Sequence, residues 1–175
     1  MLRLSIPGKT SDIGDAKRCN FFMNMLGSSL KEEKELGHLL PVAVQEAHRI
    51  ELKKILAGYL TQVHKQAIRA EEILGILLMQ PGGDSNRSVR GLSNEINSLQ
   101  HTLEAERIND TVLKTSIQRI MRYKIVIYSN LKQLALSLGM DDAVALLNQS
   151  LLEEKESDLL LSASLKTRAR QLVDA

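Results

Sequence analysis

A chain of 175 residues, 43% of them hydrophobic and none gathered into a run of membrane-spanning length, is sized for one folded domain with a substantial core. The net charge is only +2, aromatic residues make up 3% and tryptophan is absent, which argues against a nucleic-acid surface built on basic charge and base stacking. One cysteine, Cys19, leaves no internal disulfide and no paired-cysteine metal or redox motif, as expected of a reducing cytoplasm. The opening MLRLSIPGKTSDIGD lacks the uninterrupted apolar core of a secretory signal.

Residues 1–18, with Pro7, Gly8 and Gly14 among polar neighbours, read as an arm, and 19–172 as a single helical bundle. The first helix is expected to start near Asp15 or Asn20 and run to about Val44. Its stripe is Phe22, Leu26, Leu30, Glu33, Gly37, Leu40 and Val44, with Pro41 expected to bend its end. A second helix, from Ile50 to about Met79, carries Leu52, Ile55, Tyr59, Gln62, Gln66, Arg69 and Ile73 on one face, so its middle is lined by amides. PGGDSN at 81–86 is the clearest loop.

A shorter helix, about Ser88 to Glu106, places Leu92, Glu95, Leu99 and Leu103 together. Asn109 and Asp110 then read as caps for a fourth helix to Leu138, whose stripe is Ile117, Met121, Lys124, Tyr128, Leu131, Ala135 and Leu138. Gly139 supplies a left-handed stop, and Asp141 is expected to cap the last helix by accepting from its open amides. There Val144, Leu147, Leu151, Glu154, Asp158, Leu161 and Leu165 share a face. Long helices and short connections predict an all-α antiparallel bundle of four or five helices.

Three of these helices set a glutamate within an apolar stripe: Glu33, Glu95 and Glu154, with Asp158 one turn further on. An unpaired carboxylate is costly to bury, so something must neutralise them. Carboxylates converging from several helices are how dinuclear metal sites are built in bundles. The fourth helix instead offers Lys124 at the corresponding level. His38, His48, His64 and His101 lack the paired spacing of metal ligands, and Cys19 reads as a half-buried small residue. The runs KEEKE at 31–35 and EEKE at 153–156 read as solvated faces apart from their stripe members, and Arg119, Arg122, Lys124 and Lys132 spread over several faces. No nucleophile elbow, phosphate loop or dinucleotide fingerprint occurs.

The segment IYSNLKQLALSLGMDDAVALLNQSLLEEKESD, with EEKELGHLLP at 32–41 and GLSNE at 91–95, resembles the YciE/YciF-type stress proteins, a ferritin-like family. The resemblance covers about residues 20–165 and implies a ferritin-like bundle, a dinuclear carboxylate site and a homodimer. It assigns former metal-site positions to Glu33, Gln62, Gln66, Glu95, Met121, Lys124, Glu154 and Asp158. Several depart from the family pattern: the second-helix glutamate is Gln62, and the fourth-helix EHYE is Met121, Arg122, Tyr123 and Lys124.

These departures imply a metal centre replaced by an internal network. Lys124 would stand where a cation would sit, Arg122 would help from the edge, and Gln62 and Gln66 would complete hydrogen bonds without adding charge. The first reading is therefore a non-enzymatic structural or interaction protein, cytoplasmic and without cofactor, its stress role implied by the resemblance alone. Its expected partner is a second copy of itself, with neither nucleic acid nor membrane. The alternative retains iron or manganese on Glu33, Glu95, Glu154 and Asp158, for peroxide or oxygen chemistry. Cation storage is a third reading, poorly served by a single bundle.

Overall fold

Among the described residues the apolar stripes fold as five helices: α1 (Ile13–Glu46), α2 (Ile50–Ile76), α3 (Arg87–Glu104), α4 (Asp110–Ser137) and α5 (Asp141–Val173). The computed structural model describes residues 13–77, 87–105 and 109–173, with side chains described for 14–77, 91–105 and 109–164. The loop expected at 81–86, the arm up to residue 12 and the side chain of Leu165 lie outside these residues. Helix α1 begins at Ile13, ahead of the arm boundary expected at residue 18, and continues through Pro41 to Glu46.

Helices α1 and α2 form one hairpin and α4 and α5 a second; α2 packs on α5, and α1 on α4. The shorter α3 lies between α1 and α4. Cross-contacts fix the directions: α2 meets α5 through Arg69–Glu153 and Tyr59–Glu154, and lays Leu52 beside Ser164, so the two run antiparallel. Likewise Lys34 pairs with Glu71 while Lys53 reaches the Gln45 carbonyl, which sets α1 against α2. Phe22, Leu26, Leu40, Leu56, Ile73, Leu113, Ile117, Leu131 and Leu147 are fully or almost fully buried between the helices. Burial of such side chains contributes about 1.5–3 kcal/mol each, and this is what holds the bundle.

The helix ends explain the short turns. Leu138 closes α4, and Gly139 takes a left-handed φ of 67°. Its amide donates to Leu136 O at 3.2 Å and that of Met140 to Ala135 O at 3.0 Å, the paired bonds that reverse a chain after a helix. Replacing Gly139 with alanine forces a Cβ into this conformation and should lower stability by about 1–2 kcal/mol, read by urea unfolding. Asp141 was expected to cap α5; it lies inside the first turn, where its charge faces the positive helix end. Asn109 does cap α4, accepting from the Thr111 amide at 2.8 Å. Asp110 reaches further, accepting from the His48 and Arg49 amides at 2.7 and 3.0 Å and so tying the α1–α2 turn to the start of α4.

Two glycines set helix spacing. At Gly37 an added Cβ would meet the His64 ring at 3.2 Å, and at Gly91 it would fall 2.7 Å from the Tyr123 ring. His64 is exposed and lies over Gly37. Cys19 is a half-buried free thiol, as expected.

Candidate functional site

Lys124 stands at the level where the stripes of α1, α2, α4 and α5 meet, and it is 2% exposed. A lysine on the inner face of α4 is carried there by its neighbours Ile117, Met121, Tyr128 and Leu131, all buried on the same side. Its ammonium has three protons to give. They go to Glu154 Oε1 at 2.6 Å, Gln66 Oε1 at 2.8 Å and the Tyr59 hydroxyl oxygen at 3.2 Å. A second carboxylate, Glu33, forms an ion pair with Nζ at 2.9 Å. Glu33 Oε2 has no other partner among the described residues, so the ammonium is what answers its charge.

Two tyrosines finish the arrangement. Tyr59 donates to Glu154 Oε2 at 3.2 Å while accepting from Lys124, and its ring lies 5.0 Å from the ammonium. Tyr128 donates to Glu33 Oε1 at 2.6 Å. Both phenols are held protonated well above the usual tyrosine range, first by burial and then by the adjoining carboxylates. Gln66 passes the network outward: its oxygen accepts from Lys124 and its nitrogen donates to Glu153 Oε2 at 3.3 Å. Glu153 is also gripped by both terminal nitrogens of Arg69. Glutamine suits this place because each end of its amide faces the charge it needs.

The electrostatics follow from one ammonium serving two carboxylates. Burial opposes the charge of Lys124, but Glu154 and Glu33 outweigh it and raise its pKa above the ordinary lysine value. Glu154 is pushed up to about 6, by burial first, with Lys124 acting against the rise and Glu33 adding to it. Both partners of one ion pair thus move upward. The physical reason is the excess anion, because one positive charge cannot stabilise two buried negatives as fully as water would.

The residues aligned in sequence separate in the fold. Glu33, Gln66, Lys124 and Glu154 come together, and Met121, fully buried one turn below Lys124, fills core space. Glu95 was expected at the centre; it is half-buried at the α3–α4 contact and pairs with Arg119 at 3.6 Å. Asp158 was expected beside it; it accepts from Gln118 at 3.2 Å and faces Arg122 at 3.8 Å, with 21% of its side chain exposed. Arg122 therefore serves Asp158 and does not reach the Lys124 centre. Gln62 accepts from Ser157 on α5. The physical reason is angular: α3 docks on the outside of the α1–α4 pair, so its stripe faces a seam instead of the four-helix centre.

Sequence reasoning missed Glu32. Taken as part of a solvated run, it is 5% exposed, accepts from Ser93 of α3 and is pushed up to about 7, chiefly by burial. Adjacent glutamates 32 and 33 lie about 100° apart on a helix, so one enters the centre and the other the α1–α3 seam. The tyrosines Tyr59 and Tyr128 were already on the inner stripes, but their pairing with carboxylates has no sequence signature.

A dinuclear centre does not fit these residues. Among the described residues no three His, Cys, Asp or Glu side chains gather around a common point, and a fixed ammonium lies between the two carboxylates that do converge. Nor is any described helix long and apolar enough to cross a membrane.

An all-α bundle of five helices, closed around an ion-paired lysine, is the class of protein that the fold and centre define. The profile of the family described as "Domain of unknown function (DUF892)" matches residues 18–173, and the chain belongs to that family. It is 26% identical over 149 residues to protein YciF of Escherichia coli strain K12, covering 81% of this chain and 86% of that protein. Its fold matches the crystal structure of the E. coli stress protein YciF with a TM-score of 0.72, at 23% identity and over 88% of this chain and 94% of the other. YcfI, described as a putative structural protein from Rhodopseudomonas palustris, superposes equally well, with a TM-score of 0.72 at 24% identity, over 83% and 92% of the two chains.

Proposed function

We propose that this chain is a non-enzymatic structural or interaction protein, ferritin-like in descent, whose metal centre has been replaced by the Lys124 network. One observation carries this reading: the Lys124 ammonium lies within 2.6–2.9 Å of carboxylates from α1 and α5. A cation placed there would meet a charge of its own sign, and the glutamate and aspartate that could widen the donor set, Glu95 and Asp158, lie elsewhere, facing Arg119 and Arg122. What the network offers is register. Four helices must align to within hydrogen-bond distance for one ammonium to be satisfied, a role for which buried ion pairs suit better than for net stability.

A part in stress response is supported by the description of the E. coli relative as a stress protein, and a structural role by that of the R. palustris relative. Assembly as a homodimer belongs to the same proposal. It is supported by α5, which presents Leu152 and Leu159, seven residues apart and both exposed, on its outer side.

The test is elemental analysis of the full chain purified without chelator or metal-affinity resin and then loaded anaerobically with Fe(II), with Glu33→Ala alongside. The expected result is no stoichiometric iron, manganese or zinc in either protein. Stoichiometric metal in the wild type, lost in Glu33→Ala, would overturn the proposal and favour peroxide or oxygen chemistry at this centre.

A further inference from the structure

At one end of the bundle, away from Lys124, the N-termini of α2 and α4 meet the later part of α5. They enclose a recess lined by Arg49, Glu51, Leu52, Asp110, Lys114 and Ser164. Its cavity volume is about 10 Å³, room for one water-sized group, and it opens to solvent. Lys114 is 4% exposed, yet its ammonium reaches only the Ser162 carbonyl, at 3.5 Å. No described carboxylate comes within 4 Å of it, in contrast to Lys124 with two. The Arg49 guanidinium, another part of the lining, likewise forms no ion pair or hydrogen bond among the described residues; only its backbone is engaged, the amide donating to Asp110 and the carbonyl accepting from the Lys53 amide.

The two acidic side chains of the lining form no direct ion pair with these cations, although Glu51 acts on Lys114 from a distance. Asp110 directs both oxygens to the His48 and Arg49 amides, and those bonds, set against its burial, hold its carboxyl below the usual range. Glu51 is exposed and approaches neither cation within ion-pair distance. Two unpaired cations at the positive ends of two long helices make a site for negative charge. We propose that this recess binds a small oxyanion, a phosphate or carboxylate group that inserts one oxygen between Lys114 and Arg49 and leaves the rest in the opening. Burial first, and then repulsion from Arg49, depress the Lys114 pKa, Asp158 and Glu51 opposing the fall from a distance, and a bound anion would offset the repulsion. The Lys124 centre takes no part in this site.

Titration of inorganic phosphate into the full chain at pH 7 and constant ionic strength, followed by amide NMR, tests the site. Amides of residues 49–53 and 110–114 are expected to shift saturably, and a hundredfold excess over Kd should raise Tm by about 5–10 °C. Lys114→Met should stay folded by circular dichroism and weaken binding at least about tenfold, since it removes the buried charge. Lys114→Arg should keep most of it. A parallel acetate titration separates the two chemistries: saturation by both assigns any small oxyanion, and by phosphate alone a phosphoryl group. Salting-out by phosphate acts on every variant alike and does not saturate. If Lys114→Met fails to fold, Arg49→Gln at the half-buried wall supplies the same comparison. Linear shifts in the wild type, or an unchanged midpoint in the Lys114→Met and Arg49→Gln variants, would overturn the assignment.

Discussion

Lys124→Met should lose about 3–5 kcal/mol of stability, a large fraction of what holds a domain of this size together. Methionine replaces the aliphatic stem of lysine and leaves out only the terminal Nζ, so the loss is chiefly electrostatic. Glu33 and Glu154, 1% and 0% exposed, would be left facing each other without a cation. Tyr59 and Gln66 would lose a donor. Adding Glu33→Gln and Glu154→Gln to the same background should recover a substantial part of the loss, because unpaired dipoles cost less to bury than unpaired charges. Acidification should relieve it too. The measurement is chemical unfolding at several pH values; a loss below about 1 kcal/mol at pH 7 would mean that water reaches the centre and the ion pair does not organise it.

Above neutral pH the wild type should be markedly less stable than Glu32→Gln. In the folded chain Glu32 is pushed from 4.5 up to about 7, by burial first, against the hydrogen bond from Ser93, with Glu35 adding repulsion and Lys31 opposing it. A folded pKa above the unfolded one means that the native state holds its proton more tightly. The associated stability is therefore complete below pH 4.5 and is lost as pH rises through 7. A shift of that size corresponds to about 3 kcal/mol, so Glu32→Gln, which keeps the acceptor for Ser93 but cannot ionise, should exceed the wild type by up to that amount at pH 8. The two should converge near pH 4. Glu154, raised to about 6, acts with the same sign over a lower window and is present in both proteins. Because Glu32 and Ser93 join α1 to α3, the high-pH loss should appear first as faster amide exchange in α3. Parallel pH profiles for the two proteins would place Glu32 in contact with water.

What the sequence determined by itself is the set of helices and the identity of the central cation. Gly139, Asn109 and the 3-4 spacing of apolar residues act within one or two turns, so α2, α4 and the α4–α5 turn lie where local rules put them. Lys124 was legible as the partner of Glu33 and Glu154 because three stripes placed charge at one level, and a buried charge needs an opposite one. What only the tertiary structure decided is how each stripe is rotated and where the short helix docks. Glu95 and Asp158 satisfy the same periodicity as Glu33, yet the seating of α3 and the turn of α5 give them to Arg119 and to Gln118 with Arg122. Glu32 runs the other way, hydrophilic in pattern and buried in fact, because Ser93 and α3 close over it. Periodicity reports which residues share a helix face, whereas burial of a particular carboxylate depends on which neighbouring helix arrives there, and that is set by packing across the whole bundle.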